Sequence, residues 1–442
     1  MPKTPPCPDR CNVLLVGGGG REHALAWKLT QSPRLGALWL TDTTNAGLAA
    51  LGKQCPVDFD FKRPFHLVRW CDQAEIDLVI IGPEAPLAEG AADALATGKR
   101  LVFGPSKAAA QIEADKAFAK VLMRQAAVPT ADGRTFEHVE SALEYVRAHE
   151  EPLVIKAAGL AAGKGVVVCE TQEEAVAAVE SIMVQRAHGD AGSRVIVEER
   201  LGGQEISILA LVDGRTIWLL DPTQDHKQLG EGDRGPNTGG MGAYCPTPLL
   251  DEETLGLIER EIFVPTIDAL RRDGIEYRGV LYAGLMLTPG GPKVLEFNCR
   301  FGDPECQALM PRLTVDLVEI AWATAAGRLD DVNVAFDPRT ACCVVMCSGG
   351  YPGSSAKGKP ITGLDDVAAL AGAGESVHVF HAGTRRTADG DVVTNGGRVL
   401  GVTALASDLQ SAQDLANRAC DAIHFEGAVW RRDIGGRVLS KV

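Results

Sequence analysis

The residues with the clearest chemical potential lie in Leu295-Glu296-Phe297-Asn298-Cys299-Arg300-Phe301-Gly302-Asp303-Pro304-Glu305. Side chains alternate along a strand, so Glu296, Asn298 and Arg300 share one face while Leu295, Phe297 and Cys299 take the other. A carboxylate and an amide oxygen are hard ligands of the kind Mg²⁺ uses when phosphates and water complete its shell. The competing reading is a solvated strand face, which the apolar opposite face and the apolar preceding strand disfavour. A second candidate is Lys156-Ala157-Ala158-Gly159-Leu160-Ala161-Ala162-Gly163-Lys164-Gly165. It has three residues before Gly163-Lys164 where a P-loop has four, lacks the following Ser or Thr, and leads into a strand, Val166–Val168. A mobile flap folding over phosphates, with Lys156 and Lys164 as point charges, fits better than a plain hairpin turn.

Two further segments suggest binding. Gly17–Gly20, followed by Arg21-Glu22-His23, sits between a strand and a helix, where glycines let backbone amides approach an anion. The spacing is not GxGxxG, and three readings stay open: a site for a phosphate-bearing sugar, a nicotinamide site, or a tight turn. Gln224-Asp225-His226-Lys227 and Gly235–Gly242 belong to a long polar stretch, Asp221–Pro248. Structureless loops of more than about 15 residues are uncommon inside compact domains and are usually functional. A lone histidine such as His226 is more often structural than catalytic, but this long polar loop has no core to serve, so a ligand-contacting loop is the favoured reading.

These motifs need a scaffold. Up to about Gly104, short apolar strands (Asn12–Gly17, Ala37–Thr41, Asp77–Gly82, Leu101–Phe103) alternate with helical runs at Arg21–Gln31 and Leu87–Thr97, which predicts a doubly wound parallel sheet. Ser106–Ala126 reads as one alanine-rich helix. Leu153–Ala157 and Val166–Cys169 predict an antiparallel hairpin, and Glu173–Arg186 carries the apolar stripe of a helix packed on a sheet. Strands follow at Arg194–Glu199, Glu205–Leu211, Thr216–Leu220, Gly279–Thr288 and Pro292–Asn298, then a helix at Val315–Gly327. Beyond Leu329 a β-rich unit (Ala341–Cys347, Val377–His381, Arg398–Ala404) closes with a helix at Leu409–Ala422. The expected division is a disordered leader (1–10), an α/β domain (11–104), a central domain (105–328, with a lid at about 127–192) and a mixed, β-rich carboxy-terminal domain (329–442).

Composition limits the partners. The 442 residues are 45% hydrophobic and 23% charged, an ordinary globular profile. A net charge of −14 argues against nucleic acid as the main ligand, because phosphate backbones require a basic field. No apolar run is long enough to span a bilayer, and the proline-rich start is neither a signal nor a transit peptide. The 12 cysteines form no CxxC pair and read as free buried thiols of a reducing cytoplasm.

Taken together, the motifs resemble the ATP-grasp superfamily and, within it, the phosphoribosylamine–glycine ligases, also called glycinamide ribonucleotide synthetases. The most specific stretch is Arg300-Phe301-Gly302-Asp303-Pro304-Glu305-Cys306-Gln307, supported by Gly19–Ala24, Gly82–Leu87, Gly159–Gly165, Gln224–Lys227, Gly235–Gly242 and Thr394–Arg398. The resemblance implies ATP-dependent joining of glycine to 5-phosphoribosylamine in de novo purine biosynthesis. Arg300, Lys156, Lys164 and Asp225 are then the catalytic candidates. Lys116, Lys156, Gly163, Lys164 and Gly165 would meet the ATP phosphates, while Glu198, Glu199, Leu201 and Glu205 would line the adenosine. Gly19, Gly20, Arg21, Glu84, Asp225, His226 and Lys227, with Asn237, Thr238, Gly239, Arg300 and Arg398, would hold the other substrates. Glu296 and Asn298 would bind Mg²⁺ or Mn²⁺. A cytoplasmic monomer or small homo-oligomer is expected. The chain departs from the family at Ala158, often Asp, and at Gln228, usually Arg. The strand Gly279–Thr288 lacks the metal carboxylate many ATP-grasp enzymes carry there.

Overall fold

A computed structural model describes residues 6–58, 60, 63–161 and 164–439. The amino-terminal sheet is parallel throughout, in the order Lys53–Gln54, Leu35–Leu40, Cys11–Val16, Leu78–Ile81, Leu101–Phe103. Its central strands are apolar on both faces, as burial between two helical layers requires. Residues 6–10 are not a free leader: Arg34 Nη1 donates to the carbonyls of Cys7 and Pro8.

Two expected helices are broken in the structure. Leu87–Thr97 divides into Glu84–Glu89 and Ala91–Leu95, because Gly90 sits at φ +91° in the left-handed region. Ser106–Ala126 divides into Lys107–Ala114 and Lys116–Gln125. Asp115 is extended there, and its carboxylate accepts from the amides of Ala117 and Phe118, starting a new helix. Alanine content favours helix on both sides of the break but cannot reveal this internal cap.

The central domain is built from two four-stranded antiparallel sheets. One carries the lid: Gly133–Phe136, Val195–Glu199, Leu153–Ala157 and Val166–Cys169, with the flap joining the last two. The lid packs around its own core of Val146, Ile155, Val179, Ile182 and Val197, separate from the larger cores. The other sheet, Ile217–Leu219, Gln204–Asp213, Arg278–Thr288 and Gly291–Asn298, forms the floor. Leu209, Leu211, Val280 and Tyr282 of this floor share a continuous core with Leu15, Phe103 and the helix Leu317–Ala326. Each such buried aliphatic side chain contributes roughly 1.5–3 kcal/mol, so floor and amino-terminal domain are firmly joined.

The stretch Asp221–Pro248 is less irregular than its composition suggests. Gln224–Asp225 and Gly242–Cys245 join Thr340–Cys347, Arg398–Ala406 and Ser376–His381 in one sheet, while Gln228–Gly230 and Arg234–Asn237 pair as a small hairpin. These strands are too short for periodicity to show, and their partner lies about a hundred positions away (Gly242 opposite Val344). The central chain is thereby stitched into the carboxy-terminal sheet.

Candidate functional site

A cleft of about 1480 Å³ opens where lid, floor, amino-terminal sheet and carboxy-terminal sheet meet. Its floor is the strand Gly291–Asn298 and the chain after it, with Glu296, Asn298 and Arg300 all lining the cleft. The strand is not regular. Gly284 pairs with Glu296 and Leu285 with Val294, so Leu295 is an extra, bulged residue. Its carbonyl, freed from the ladder, accepts from Lys156 Nζ at 2.9 Å.

Lys156 is further held by Glu198, whose Oε2 lies 2.6 Å from its ammonium. The other oxygen, Oε1, lies 2.6 Å from Lys120, which also donates to Ala131 O and Thr130 Oγ1. A buried carboxylate shared by two lysines thus fixes this wall. Lys120 is absent from the sequence-based candidates, although it lies one turn from Lys116 on the same helix face. The break at Asp115 aims Lys116 inward, and its Nζ donates to Gly159 O at the flap root over 3.1 Å. Glu199, Leu201 and Glu205 line the same end.

Glu296 sits among several cations. Burial would raise its pKa, but Lys227, Lys116 and Lys156 outweigh that and hold it below the usual carboxylate range. Among the described residues its carboxylate accepts no hydrogen bond, and with the Asn298 amide oxygen it offers hard donors toward the cleft. The facing strand Arg278–Thr288 carries no carboxylate, and no cluster of three acidic, His or Cys ligands occurs among the described residues. The donor set suits a cation completed by phosphates and water.

Arg300 is tightly engaged. Nε donates to Glu84 Oε2 (3.4 Å), Nη1 to Phe301 O (3.3 Å), and Nη2 to Glu113 Oε1 (2.9 Å) and Asn298 Oδ1 (3.0 Å). One N–H of Nη1 has no acceptor among these. Glu113, hidden within the alanine-rich helix, gave no local signal of its role.

Not every expected residue reaches the cleft. The glycine turn does not: Gly19 N donates to Glu22 Oε2 at 2.7 Å, and a side chain on Gly20 would strike Gln307 at 2.7 Å. Glu22, in the first turn of its own helix, folds back as a capping box and takes the Gly19 amide. Arg21 and Glu84 do line the cleft, Arg21 donating to Phe301 O over 3.0 Å. His226 also points away. Between Asp225 and Lys227 it takes the opposite face, is fully buried, and accepts from Gly435 N at 3.1 Å through Nε2. Burial pushes its pKa down to about 3, so it is a neutral structural imidazole. Lys164 is exposed at the flap tip, donating to Pro352 O over 3.4 Å, while its neighbour Gly165 lines the cleft. Gly163 lies outside the described residues.

Lys227 meets Glu205 at 2.7 Å. Burial would lower its pKa, yet Glu205, Asp225 and Glu296 hold the ammonium well above its ordinary value. Asn237, Thr238 and Gly239 form a rim, fixed by Tyr351, whose hydroxyl accepts from Gly239 N at 2.9 Å. Arg398 donates to Gly239 O and to Asp303 O. Arg437, from the last helical turn, also lines the cleft and meets Asp233 at 2.6 Å; nothing in its local sequence marks it.

Family models described as phosphoribosylglycinamide synthetase match in three parts: the N domain over 11–113, the ATP-grasp (A) domain over 114–306 and the C domain over 341–437. The chain is 50% identical over 439 residues to a phosphoribosylamine–glycine ligase of Rhodopirellula baltica, covering 98% of each. It is 47% identical to a trifunctional purine biosynthetic protein of Gallus gallus, covering 97% of this chain and 42% of that protein. The crystal structure of a phosphoribosylamine–glycine ligase from Thermotoga maritima superposes with a TM-score of 0.80 at 31% identity, covering 96% of this chain and all of that one.

Proposed function

Because the chain belongs to the phosphoribosylglycinamide synthetase family of ATP-grasp ligases, we propose that its cleft joins glycine to 5-phosphoribosylamine at the expense of ATP, in purine biosynthesis. The observation that carries this reading is the convergence of Lys156, Lys116, Glu296, Asn298 and Arg300 on one cleft. Glycine's carboxylate is a poor electrophile. Its oxygen attacks the γ-phosphoryl group, giving glycyl phosphate and ADP, and the amine then displaces phosphate. Phosphoryl transfer asks the protein mainly for positioning and neutralisation of charge.

Lys116 and Lys156 neutralise phosphate oxygens, and Gly159–Gly165 covers them. Val154, Val166 and Met286 give the nucleotide end an apolar lining suited to a base, with Glu198–Leu201 and Glu205 along the adenosine. Glu296 and Asn298 hold the divalent ion, Mg²⁺ or Mn²⁺, which supplies charge screening when bound. Arg300 takes the glycine carboxylate, for which its unclaimed Nη1 N–H and the exchangeable bond to Asn298 are available. Arg21, Glu84, Asp225, Lys227, the rim Asn237–Gly239 and Arg398 surround the sugar phosphate.

No helix among the described residues is long and apolar enough to cross a membrane, and the cysteines are free thiols. Both fit a cytoplasmic enzyme. The direct test is ADP release with ATP, Mg²⁺, glycine and phosphoribosylamine, each omitted in turn. Dependence on both glycine and the amine is expected; turnover with bicarbonate or formate in place of glycine would assign a different ligase.

A further inference from the structure

We propose that Asp225 is the general base of the second half-reaction, accepting a proton from the phosphoribosylamine nitrogen as that nitrogen attacks glycyl phosphate. The inference rests on the ligase reading above and adds a chemical role to it. When the neutral amine attacks, a C–N bond forms and the nitrogen becomes cationic. Until it loses a proton, the amine is a better leaving group than phosphate, and the adduct reverts. Proton transfer to a carboxylate lets the C–O bond break, so that phosphate leaves with the electron pair and the amide remains.

The cleft contains many carboxylates, but nearly all are committed. Glu84 and Glu113 are bound to Arg300, and Glu198 to Lys120 and Lys156. Glu205 pairs with Lys227, Asp233 with Arg437, and Asp303 receives Gln307 and faces Arg398. Glu305 accepts from Tyr282 and Ser207, and Glu199 from Lys293 at the nucleotide end. Glu296 faces the lysines as the metal ligand. No imidazole substitutes, since His226 is turned into the core.

Asp225 differs from the paired carboxylates in having no donor, and from Glu296 in being pushed up rather than held down by its surroundings. It is only 7% exposed, lines the cleft, and its carboxylate receives no hydrogen bond among the described residues. A carboxylate buried without a donor is costly unless a ligand supplies one. An attacking amine is such a donor. The groups facing Asp225 support the assignment: burial, with Glu305 and Glu205, pushes it up to about 7 against the pull of Lys227 and Arg437. A base in that range combines a useful deprotonated fraction with real proton affinity.

The test separates the two half-reactions. Hydroxylamine is weakly basic and neutral at pH 7, so it traps glycyl phosphate as glycine hydroxamate without needing a base. Asp225→Asn should cut turnover with phosphoribosylamine by about 10²–10³-fold, within the range general bases contribute, while hydroxamate formation from ATP and glycine stays near wild type. The wild-type kcat should fall as pH drops through about 7, where Asp225 takes up a proton, and Asp225→Asn should lose that limb. Arg437→Gln removes a positive neighbour and should move the limb to higher pH. Equal loss of trapping and turnover in Asp225→Asn, or an unchanged pH profile, would overturn the base assignment. Retained trapping in the Asn variant also shows that the site is folded. Absence of glycine-dependent hydroxamate in the wild type would instead remove the ligase reading itself.

Discussion

The floor of the cleft and the flap above it hold their charges in opposite ways. On the floor, Arg300 spends four N–H groups on protein acceptors, and the bulged Leu295 carbonyl holds Lys156, which reaches down from the lid strand Leu153–Ala157 and is fixed there by Glu198 of the same sheet. On the flap, Lys164 is exposed and makes one 3.4 Å contact to a carbonyl of the carboxy-terminal domain. The floor shares its core with the amino-terminal domain, whereas the lid packs on a separate core. Rigid groups stabilise charge without reorganising during reaction, and a mobile cover admits substrate and then excludes water. The proposed reaction would thus use a fixed lysine and a movable one in the same site.

The largest expected loss comes from the floor. Glu296→Ala should lower kcat by about 10²–10³-fold, or about 3–4 kcal/mol in the barrier, even at saturating Mg²⁺. Its carboxylate accepts no protein hydrogen bond among the described residues, so the melting temperature should hardly change. Steady-state turnover beside a thermal melt checks both. A fully active variant would remove Glu296 from the metal set and leave the fixed floor without its central charge.

Next in size is Arg300→Lys. Lysine keeps the charge but cannot reach Glu84, Glu113, Asn298 and Phe301 O together, nor present a fork to a carboxylate. The KM for glycine should rise by at least ~10-fold, because losing a charge-assisted bond costs roughly 1.5–3 kcal/mol, while the KM for ATP should move little. A fall in kcat at constant glycine KM would show that Arg300 serves the transferring phosphoryl group.

The site was legible in the sequence where residues cooperate at short range. Glu296, Asn298 and Arg300 alternate on one strand, and that spacing survives into the cleft. The two glycine runs show the limit. Both glycine runs, Gly17–Gly20 and Gly159–Gly165, lie near a helix or strand end, yet Glu22 takes the Gly19 amide of the first, while Leu160, Ala161 and Gly165 of the second line the cleft. Glycine spacing states where an anion could approach, while a neighbouring side chain decides whether it can. The sheets and the carboxy-terminal strands followed from alternation of apolar runs. The Asp115 break, the bulge at Leu295 and the strands within Asp221–Pro248 did not, because each is fixed by partners distant in sequence. Lys120, Glu113 and Arg437 escaped for the same reason.

The smallest effect belongs to the flap and tests the comparison most finely. Lys164 sits on a tip that contacts little, so its contribution must be made after the flap moves over the nucleotide. A single charge-assisted bond formed at a partly solvated tip, against the entropy of ordering the loop, leaves roughly 1–1.5 kcal/mol. Lys164→Ala should therefore lower kcat/KM for ATP by about 10-fold, well short of the Glu296 loss. Amide exchange at Leu160, Ala161 and Lys164 should slow when a non-hydrolysable ATP analogue and Mg²⁺ are added, and slow less in the alanine variant. Exchange at Glu296–Asn298 should be low throughout, since that part of the strand is already paired. A flap as protected without nucleotide as with it would make Lys164 another fixed lysine, and the contrast between floor and cover would collapse.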